Sequence, residues 1–283
     1  MNFKNYLKLA RLDKPAGILL LFLPCLFGTL LSLKYPNNNP NIIYYLILFF
    51  FGSALMRSAG CVINDILDSK FDSNVARTKN RKIANKEVSK KSAIVFTLAL
   101  LIPSLVILLQ FNSKTVVVGL LSFILVLIYP LMKRLTYFPQ IFLGLTFNIG
   151  AIIAPIAILN MVSAEIIFLY LALIIWTIIY DTIYAFQDIE DDIKIGVKST
   201  TLIFKDNPET ILKSLNFVMF LLLMLLGYSL SLKWEYYLAI LVADLYLNKL
   251  IIKCDYKNPQ SCLSTFKKNI YFGMILALAI LLG

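Results

Sequence analysis

The chain has 283 residues, of which 59% are hydrophobic and only 15% are charged. Its mean hydropathy of +0.79 excludes an ordinary soluble domain and is typical of a polytopic membrane protein. It contains no histidine, which excludes the commonest general base and the commonest protein ligand of zinc and haem iron.

Nine apolar runs follow one another along the chain, and we expect each to form a transmembrane helix. Several fall short of the roughly 20 residues that a helix needs to cross a bilayer. No linker or low-complexity tract separates them, which favours a single all-helical domain over residues 1–283. The runs cover residues 16–33, 42–63, 92–110, 115–132, 140–159, 166–187, 211–231, 236–251 and 269–283.

The lysines and arginines fall almost entirely on one side of the membrane when the nine runs are threaded through it. Only Lys34, Lys114 and Lys233 fall on the other side. By the positive-inside rule, the basic side is cytoplasmic, which places the N-terminus in the cytoplasm. We expect the membrane to be a bacterial-type inner membrane. This topology accounts for most of the net charge of +11, so no nucleic-acid partner is needed to explain it.

The second apolar run leads into an acidic cluster, NDILDSKFD. Its residues Asn64, Asp68 and Asp72 are spaced i, i+4, i+8 and share one helical face, with Asp65 beside them. Carboxylates at this spacing repel each other, and the C-terminus of a helix is the unfavourable end for anions. We therefore expect bound cations to neutralise the cluster.

The sixth apolar run leads into a similar cluster, QDIEDD, in which Asp188 and Asp192 repeat the i, i+4 spacing and Asp191 lies between them. Both clusters precede a basic loop and fall on the cytoplasmic side. We expect two helical sub-bundles whose acidic ends face each other across one central cavity that opens near this side.

Each cluster has an intramembrane charge two helical turns before it. Arg57 precedes Asn64 by seven residues, and Asp181 precedes Asp188 by seven. A charge at such depth costs roughly 2–3 kcal/mol or more and usually lines an interior cavity. Pairing of either residue with another helix is the alternative interpretation.

Two facing acidic sets at a membrane surface suit Mg²⁺, which binds one or two carboxylates and keeps water or phosphate oxygens as its other ligands. A diphosphate held in this way becomes a better leaving group. Basic side chains near the clusters are available to contact phosphate: Arg77, Lys79, Arg81, Lys133, Arg134, Lys194 and Lys198.

Aromatic side chains near the second cluster suit an allylic substrate. If the diphosphate carries an allyl group, its ionisation produces a carbocation that rings stabilise through cation–π contact. Tyr180 and Tyr184 flank Asp181 on the helix that enters the second cluster. Most of the other aromatic residues are expected to be ordinary packing.

Four segments resemble the UbiA family of intramembrane prenyltransferases, and together they span nearly the whole chain. The resemblance implies nine helices, Mg²⁺ and transfer from a polyprenyl diphosphate to a small aromatic acid or another aromatic acceptor. The segments are RLDKPAG (11–17), GCVINDILDSKFDSNVARTKNR (60–81), YPLMKRLTYFPQIFLG (129–144) and YDTIYAFQDIEDDIKIGVKST (180–200).

The resemblance also implies roles for individual residues. Asp65 and Asp191 would support the diphosphate site, and Lys133 and Arg134 would lie beside it. The chain departs from the family where an Arg-Pro pair is usual, having Arg81 and Lys82, and where a glycine is common, having Asn85. Asn64, Asp68, Asp72, Asp188 and Asp192 would hold Mg²⁺ and the diphosphate.

The acceptor is expected to be 4-hydroxybenzoate, because KPAG and YAFQDIEDD resemble the ubiquinone-pathway branch of the family. Naphthoate, homogentisate and haem are the alternative acceptors within the family. We expect Arg57 to anchor the acceptor carboxylate, and Asp181 to orient the acceptor or remove the ring proton. The haem branch typically has a methionine in the stretch that here reads SNVARTKNR.

A secondary transporter is the alternative from another class, because helical repeats with intramembrane acids occur there too. Transporter sites are expected near the bilayer midplane, whereas these acids lie at one surface beside basic loops. The remaining alternative, solvated helix ends, leaves the repeated spacing and the paired intramembrane charges unexplained.

Overall fold

The computed structural model describes residues 3–36, 40–73 and 78–283. Within these ranges the regular structure is entirely helical, and a 3₁₀ turn, Phe186–Asp188, joins α8 to α9. The helices are α1 (Phe3–Leu9), α2 (Ala16–Ser32), α3 (Ile42–Asp72), α4 (Lys90–Leu108), α5 (Ser113–Leu135), α6 (Pro139–Phe147), α7 (Gly150–Leu159), α8 (Ala164–Ala185), α9 (Ile189–Ile195), α10 (Thr200–Phe204), α11 (Pro208–Ser229), α12 (Trp234–Lys253) and α13 (Pro259–Leu282).

Seven stretches of the described chain are long and apolar enough to cross a membrane: α3, α4, α5, the α6–α7 pair, α8 with its extension, α11 and α13. Helix α2 is apolar but has only 17 residues. Helix α12 carries Glu235, Asp244 and Lys249 within its length. The expected all-helical polytopic membrane protein is confirmed, whereas the count of nine spans stays a prediction.

Several expected helix bounds differ from the structure, and two of these differences concern α3 and the α6–α7 pair. Helix α3 does not end near residue 63 but continues to Asp72, so the first acidic cluster is fully helical. The run expected over 140–159 is divided at Asn148. The Asn148 side chain donates to the backbone oxygens of Gly144 and Leu173 at 2.8 and 3.1 Å. Such bonds compete with the helical ladder and favour a break here.

The largest buried side chain, Trp176 on α8, lies at the centre of one half of the bundle. Its ring contacts Phe27 of α2 and Phe272 of α13, with centroids 6.3 and 5.2 Å away. Its Nε1 donates to Asn269 Oδ1 at 2.9 Å, which satisfies the polar group that burial would otherwise leave unpaired. These contacts fix α2, α8 and α13 against one another.

Helices α3, α4 and α5 form the other half of the bundle, next to α2 and the α6–α7 pair. Helices α4 and α5 contain few buried residues, and an apolar cavity separates them from the centre. The C-terminal ends of α3, α5 and α8 meet at one end of the bundle, where all three line a second, acidic cavity. This end contains both predicted acidic clusters.

Candidate active site

The first acidic cluster occupies the last turns of α3 and is almost completely buried. Asp65 is 1% exposed, Asp68 is 0% exposed and Asp72 is 6% exposed. Buried carboxylates at a helix C-terminus require compensating cations, because both desolvation and the helix dipole disfavour the anion. The structure supplies these cations from three other segments of the chain.

Asp68 is paired with the basic end of α5. Lys133 Nζ donates to Asp68 Oδ2, and Arg134 Nη2 lies 3.5 Å from Asp68 Oδ1. Arg134 also donates to the backbone oxygen of Leu67 at 3.0 Å. The two residues expected near the diphosphate therefore contact the central carboxylate of the first cluster directly.

Arg81 joins two carboxylates of the first cluster. Its Nη1 donates to the two oxygens of Asp72 at 3.0 and 2.9 Å and lies 3.2 Å from Asp65 Oδ1. Arg11, which precedes α2, donates to both oxygens of Asp65 at 2.9 and 3.1 Å. The segments before α2 and after α3 are thereby fastened to the same helix end.

The second acidic cluster lies on a break rather than at the end of a continuous helix. Helix α8 ends at Ala185, two residues before the expected bound, and Phe186 turns inward against Tyr256, with ring centroids 5.1 Å apart. Asp191 and Asp192 then fall in the first turn of the seven-residue helix α9. This is the favourable end of a helix for anions, so the expected unfavourable dipole is wrong for the second cluster.

Both clusters face one cavity of about 200 Å³. The i, i+4 spacing in each cluster therefore brings its members to the same space, as predicted for a shared site. Arg81, Lys133 and Lys198 add positive charge to its wall. The acidic and amide side chains that line it are Asn64, Asp68, Asp72, Asp181, Asp188 and Asp192.

Besides Arg57, described below, five of the residues predicted to bind substrate do not line this cavity: Asp65, Arg134, Tyr184, Asp191 and Lys194. Arg134 and Asp65 lie behind it, in the ion pairs described above. Lys194 is 71% exposed and lies 3.9 Å from Asp191. The Tyr184 ring packs on Phe266, with centroids 4.6 Å apart. A sixth predicted residue, Arg77, lies outside the described residues.

The donor atoms around the cavity suit a cation that is bound together with a phosphorylated ligand. In the described part of the chain, no three acidic or cysteine side chains are grouped closely enough to hold a metal ion by themselves. Mg²⁺ needs only one or two carboxylates when phosphate oxygens and waters complete its octahedron. Two facing sets across 200 Å³ offer this arrangement.

Arg57 faces a second cavity, which is apolar and measures about 380 Å³. Its guanidinium lies over the Phe147 ring, with Cζ 5.4 Å from the centroid. Its Nε is buried and has no hydrogen-bond partner among the described residues. An unpaired buried donor costs about 1–3 kcal/mol, so a ligand that accepts from it is favoured there.

Tyr129 of α5 lines both the acidic and the apolar cavity, so the two adjoin at its ring. Asp181 lies on the acidic side and Arg57 on the apolar side. The two intramembrane charges therefore line interior space, as their depth predicts.

The two residues that depart from the family pattern contact the same side chain in the loop after α3. Lys82 Nζ and Asn85 Nδ2 each donate to Glu87, to Oε2 and Oε1 respectively, and both distances are 2.6 Å. The hydrogen bond from Lys82 is the main reason that the pKa of Glu87 is lowered. Lys82 and Asn85 therefore both bind the carboxylate of Glu87.

Several residues of the site were not predicted from the sequence, among them Thr78, Gln140 and Arg11. Thr78 and Gln140 line the acidic cavity, and Gln140 Oε1 accepts from the backbone N–H of Thr200 at 3.3 Å. Neither residue is charged, and neither belongs to a periodic pattern in the sequence. Arg11 begins the RLDKPAG segment, which resembles the family. Its partner Asp65 is distant in sequence, so the sequence does not show that the two residues pair.

Comparisons with known proteins show the family to which the chain belongs. The UbiA prenyltransferase family matches residues 21–277. A mitochondrial 4-hydroxybenzoate polyprenyltransferase of Arabidopsis thaliana is 42% identical over 99% of this chain and 69% of its own length. The mitochondrial protein of the same name from Rattus norvegicus is 42% identical over 98% of this chain and 74% of its own length.

Solved structures share the fold at low sequence identity. A UbiA homolog from Aeropyrum pernix K1 has a TM-score of 0.74 and 21% identity, over 93% of this chain and 96% of its own. A UbiA homolog from Archaeoglobus fulgidus bound to GPP and Mg²⁺ has a TM-score of 0.73 and 20% identity, over 98% and 99%. The protein described here belongs to the UbiA prenyltransferase family.

Proposed function

We propose that this protein transfers a polyprenyl group from a polyprenyl diphosphate to the ring of 4-hydroxybenzoate in ubiquinone biosynthesis, with residues 1–283 acting as one domain. The observation that carries the proposal is the junction of the two cavities at Tyr129. A charged diphosphate fits the acidic and basic cavity, and an isoprenoid tail fits the apolar one. The names of the 42% identical relatives support the acceptor.

We propose Mg²⁺ as the cofactor, with the bound ligand of the Archaeoglobus fulgidus homolog as support. Bound Mg²⁺ withdraws charge from the diphosphate and improves it as a leaving group. The oxygen donors facing the acidic cavity fit this ion. Its proposed ligands are Asn64, Asp68, Asp72, Asp188 and Asp192.

Basic residues already paired with these carboxylates are proposed to bind the diphosphate oxygens. Lys133 and Arg81 both line the acidic cavity, so phosphate can replace a carboxylate as their partner. Arg134 acts from behind Asp68. Arg77 and Lys194 are proposed as further contacts, and Asp191 as the residue that orients Lys194.

The reaction breaks the bond between the allylic carbon and the diphosphate oxygen, and the electron pair leaves with the diphosphate. A ring carbon of the acceptor then bonds to the allylic carbon, and the ring proton is lost. Asp181 lines the acidic cavity and is proposed to orient the acceptor or take this proton. The apolar cavity excludes water from the allylic cation. Tyr184 was expected to stabilise this cation, but its ring packs on Phe266 and lines neither cavity, so a direct contact would require the ring to move.

Arg57 is proposed to bind the carboxylate of 4-hydroxybenzoate. It lies beside Tyr129 at the junction of the two cavities, and its buried Nε lacks a partner among the described residues. A carboxylate accepts two hydrogen bonds from a guanidinium, which fixes the ring in one orientation. Arg57→Lys should therefore raise the acceptor KM; an unchanged KM with a lowered kcat would contradict this role.

The protein is an integral membrane protein. We propose that its acidic cavity and N-terminus face the side that is rich in lysine and arginine. A bacterial-type inner membrane was expected from the sequence, and the relatives named above are mitochondrial. The choice between these membranes stays a prediction.

The test is prenyl transfer by the purified protein in lipid nanodiscs, with polyprenyl diphosphate, 4-hydroxybenzoate and either Mg²⁺ or EDTA. We expect product only with Mg²⁺, and a loss of at least about 100-fold in Asp68→Asn and Asp188→Asn. Glu209→Gln is the control, because Glu209 lies in an exposed ion pair with Lys213 on α11.

The outcomes separate the alternatives. Product with naphthoate, homogentisate or haem, but not with 4-hydroxybenzoate, would support the proposed reaction and show that the acceptor is a different one. Solute flux through proteoliposomes without any prenylated product would favour the transporter interpretation. Full activity of either aspartate variant would show that its acidic cluster is not part of the catalytic site.

A further inference from the structure

Five lysines lie between positions 249 and 268, at one end of the α12–α13 pair, and the proposed reaction uses none of them. Asp255 is the only acidic residue in this stretch of the sequence. The acidic cavity lies at the same end, because Tyr256, in the turn between the two helices, packs on Phe186 just before Asp188. The lysines are Lys249, Lys253, Lys257, Lys267 and Lys268.

Three of these lysines share one outer surface of the α12–α13 pair. The Tyr246 hydroxyl donates to the backbone oxygen of Lys268 at 3.2 Å, which places these two residues at the same level on adjoining helices. Lys249 and Lys253 follow Tyr246 by three and seven residues, so they lie on its helical face. All three lysines are exposed, and together they form a basic groove between α12 and α13.

The three lysines of the basic groove lie at different depths. Lys253 is the last residue of α12. At a rise of 1.5 Å per residue, Lys249 lies roughly 6 Å below it, and Lys268, level with Tyr246, lies roughly 10 Å below it. The positive-inside rule concerns the connecting loops, so it explains Lys257 more directly than the two lysines inside the helices.

None of the three groove lysines forms an ion pair with a described residue. The nearby acid in the turn, Asp255, instead accepts from the backbone N–H of Lys257 at 3.0 Å. A lysine that starts below the interface extends its ammonium toward the headgroups, where an anion beside it is favourable. The charges of the groove are therefore available to a partner outside the chain.

The same surface is apolar and exposed below the lysines. On α12, Val242 precedes Tyr246 by one helical turn and is 48% exposed. On α13, Tyr271 and Leu278 follow Lys268 toward the opposite membrane face and are 58% and 50% exposed. Cations near the end of a helix pair, with apolar side chains beneath them, match the headgroup phosphate and the acyl chains of a phospholipid.

We propose that Lys249, Lys253 and Lys268 bind an anionic phospholipid of the leaflet at the lysine-rich end of the protein. The headgroup phosphate accepts hydrogen bonds from the lysines, and the acyl chains lie along α12 and α13. A zwitterionic phospholipid carries its own cation beside the phosphate, so it gains less from this groove. Charge complementarity therefore selects the occupant.

The test is native mass spectrometry of the purified full chain in detergent, titrated with phosphatidylglycerol or with phosphatidylcholine. We expect the unmodified protein to bind phosphatidylglycerol at least about tenfold more tightly than phosphatidylcholine. Lys249→Gln with Lys268→Gln should weaken phosphatidylglycerol binding at least about tenfold. The affinity of this variant for phosphatidylcholine should stay within about twofold of the unmodified value, because that lipid depends little on the lysine charges.

Lys90→Gln with Lys91→Gln is the matched control. Both lysines are exposed at the start of α4, at the same end of the protein, so this variant loses the same net charge outside the groove. It should bind phosphatidylglycerol as the unmodified protein does. Lys249→Arg with Lys268→Arg keeps the charge and should also retain binding, which separates the loss of charge from misfolding.

Equal weakening of phosphatidylglycerol binding in the groove variant and the control would show that the total charge of this end attracts the lipid, and would overturn the groove. Equal affinities of the unmodified protein for the two lipids would also overturn it. No prenyl diphosphate and no acceptor enter the assay, so its result is independent of the proposed reaction.

Discussion

Arg11 donates to both carboxylate oxygens of Asp65, at 2.9 and 3.1 Å, across 54 positions of sequence. Asp65 is 1% exposed and Arg11 is 23% exposed, so the pair lies at the edge of the buried end of α3. Arg81 approaches the same carboxylate at 3.2 Å and also binds Asp72. Asp65 therefore positions Arg81 from behind the acidic cavity.

Removal of Arg11 should destabilise the fold. Arg11→Gln removes a cation from a buried carboxylate that Arg81 also contacts, and we expect the free energy of unfolding to fall by about 1–3 kcal/mol. The free energy of unfolding is measured by denaturant titration in detergent, with the helical circular dichroism signal as the readout. Glu209→Gln breaks an exposed ion pair and should change the unfolding free energy by less than about 1 kcal/mol. Equal effects of the two variants would contradict this role of the buried pair.

A side chain at Gly17 should displace Arg57. A Cβ there would lie 2.6 Å from Arg57 Nε and 3.0 Å from Nη2. If Arg57 binds the acceptor carboxylate, Gly17→Ala raises the KM for 4-hydroxybenzoate about tenfold while the KM for the diphosphate changes little. Steady-state kinetics with each substrate varied in turn measures both values. A change confined to the diphosphate KM would argue against the proposed role of Arg57.

The crossing of α2 and α7 requires Gly150. A Cβ there would lie 2.4 Å from Cys25 Sγ and 3.1 Å from the backbone nitrogen of Cys25. Gly150→Ala should destabilise the protein by about 1–3 kcal/mol through overpacking. Gly60→Ala is the matched control, because its Cβ would first meet Val126 at an ordinary 3.9 Å. Unfolding in detergent should separate the two variants clearly.

The loop between α3 and α4 should loosen in acid. Glu87 has a lowered pKa in the folded protein, chiefly because Lys82 donates to it. A carboxylate whose pKa is lowered by folding stabilises the folded state at pH values above its unfolded-state pKa. This stabilisation is lost as the pH falls through the folded-state pKa. Limited proteolysis of residues 78–89 should accelerate below about pH 4.3, the ordinary pKa of glutamate.

Glu87→Gln should remove this acid dependence, because the amide does not titrate. At neutral pH the variant should be cut somewhat faster than the unmodified protein, since the contact with Lys82 loses its charge. Glu209→Gln, whose site is distant in sequence, should retain the normal profile. An identical acid response in the Glu87 variant would mean that another group controls the loop.

The properties that depend on local patterning were predictable from the amino-acid sequence. Apolar runs predict membrane helices because an unpaired backbone is too costly in lipid, and the structure confirms a polytopic helical protein. The i, i+4, i+8 spacing placed Asn64, Asp68 and Asp72 on one face because an α-helix repeats every 3.6 residues. All three line the acidic cavity.

The partners that each helix face contacts were visible only in the folded protein. Asp65 and Asp68 are close in sequence, yet Asp65 meets Arg11 while Asp68 meets Lys133 and the cavity. The break after Ala185 depends on the contact of Phe186 with Tyr256, seventy residues away. The place of Tyr129 in the walls of both cavities depends on how several helices pack around it. Helical periodicity orients a side chain about its own axis, but its neighbours are set by long-range packing, which one segment does not encode.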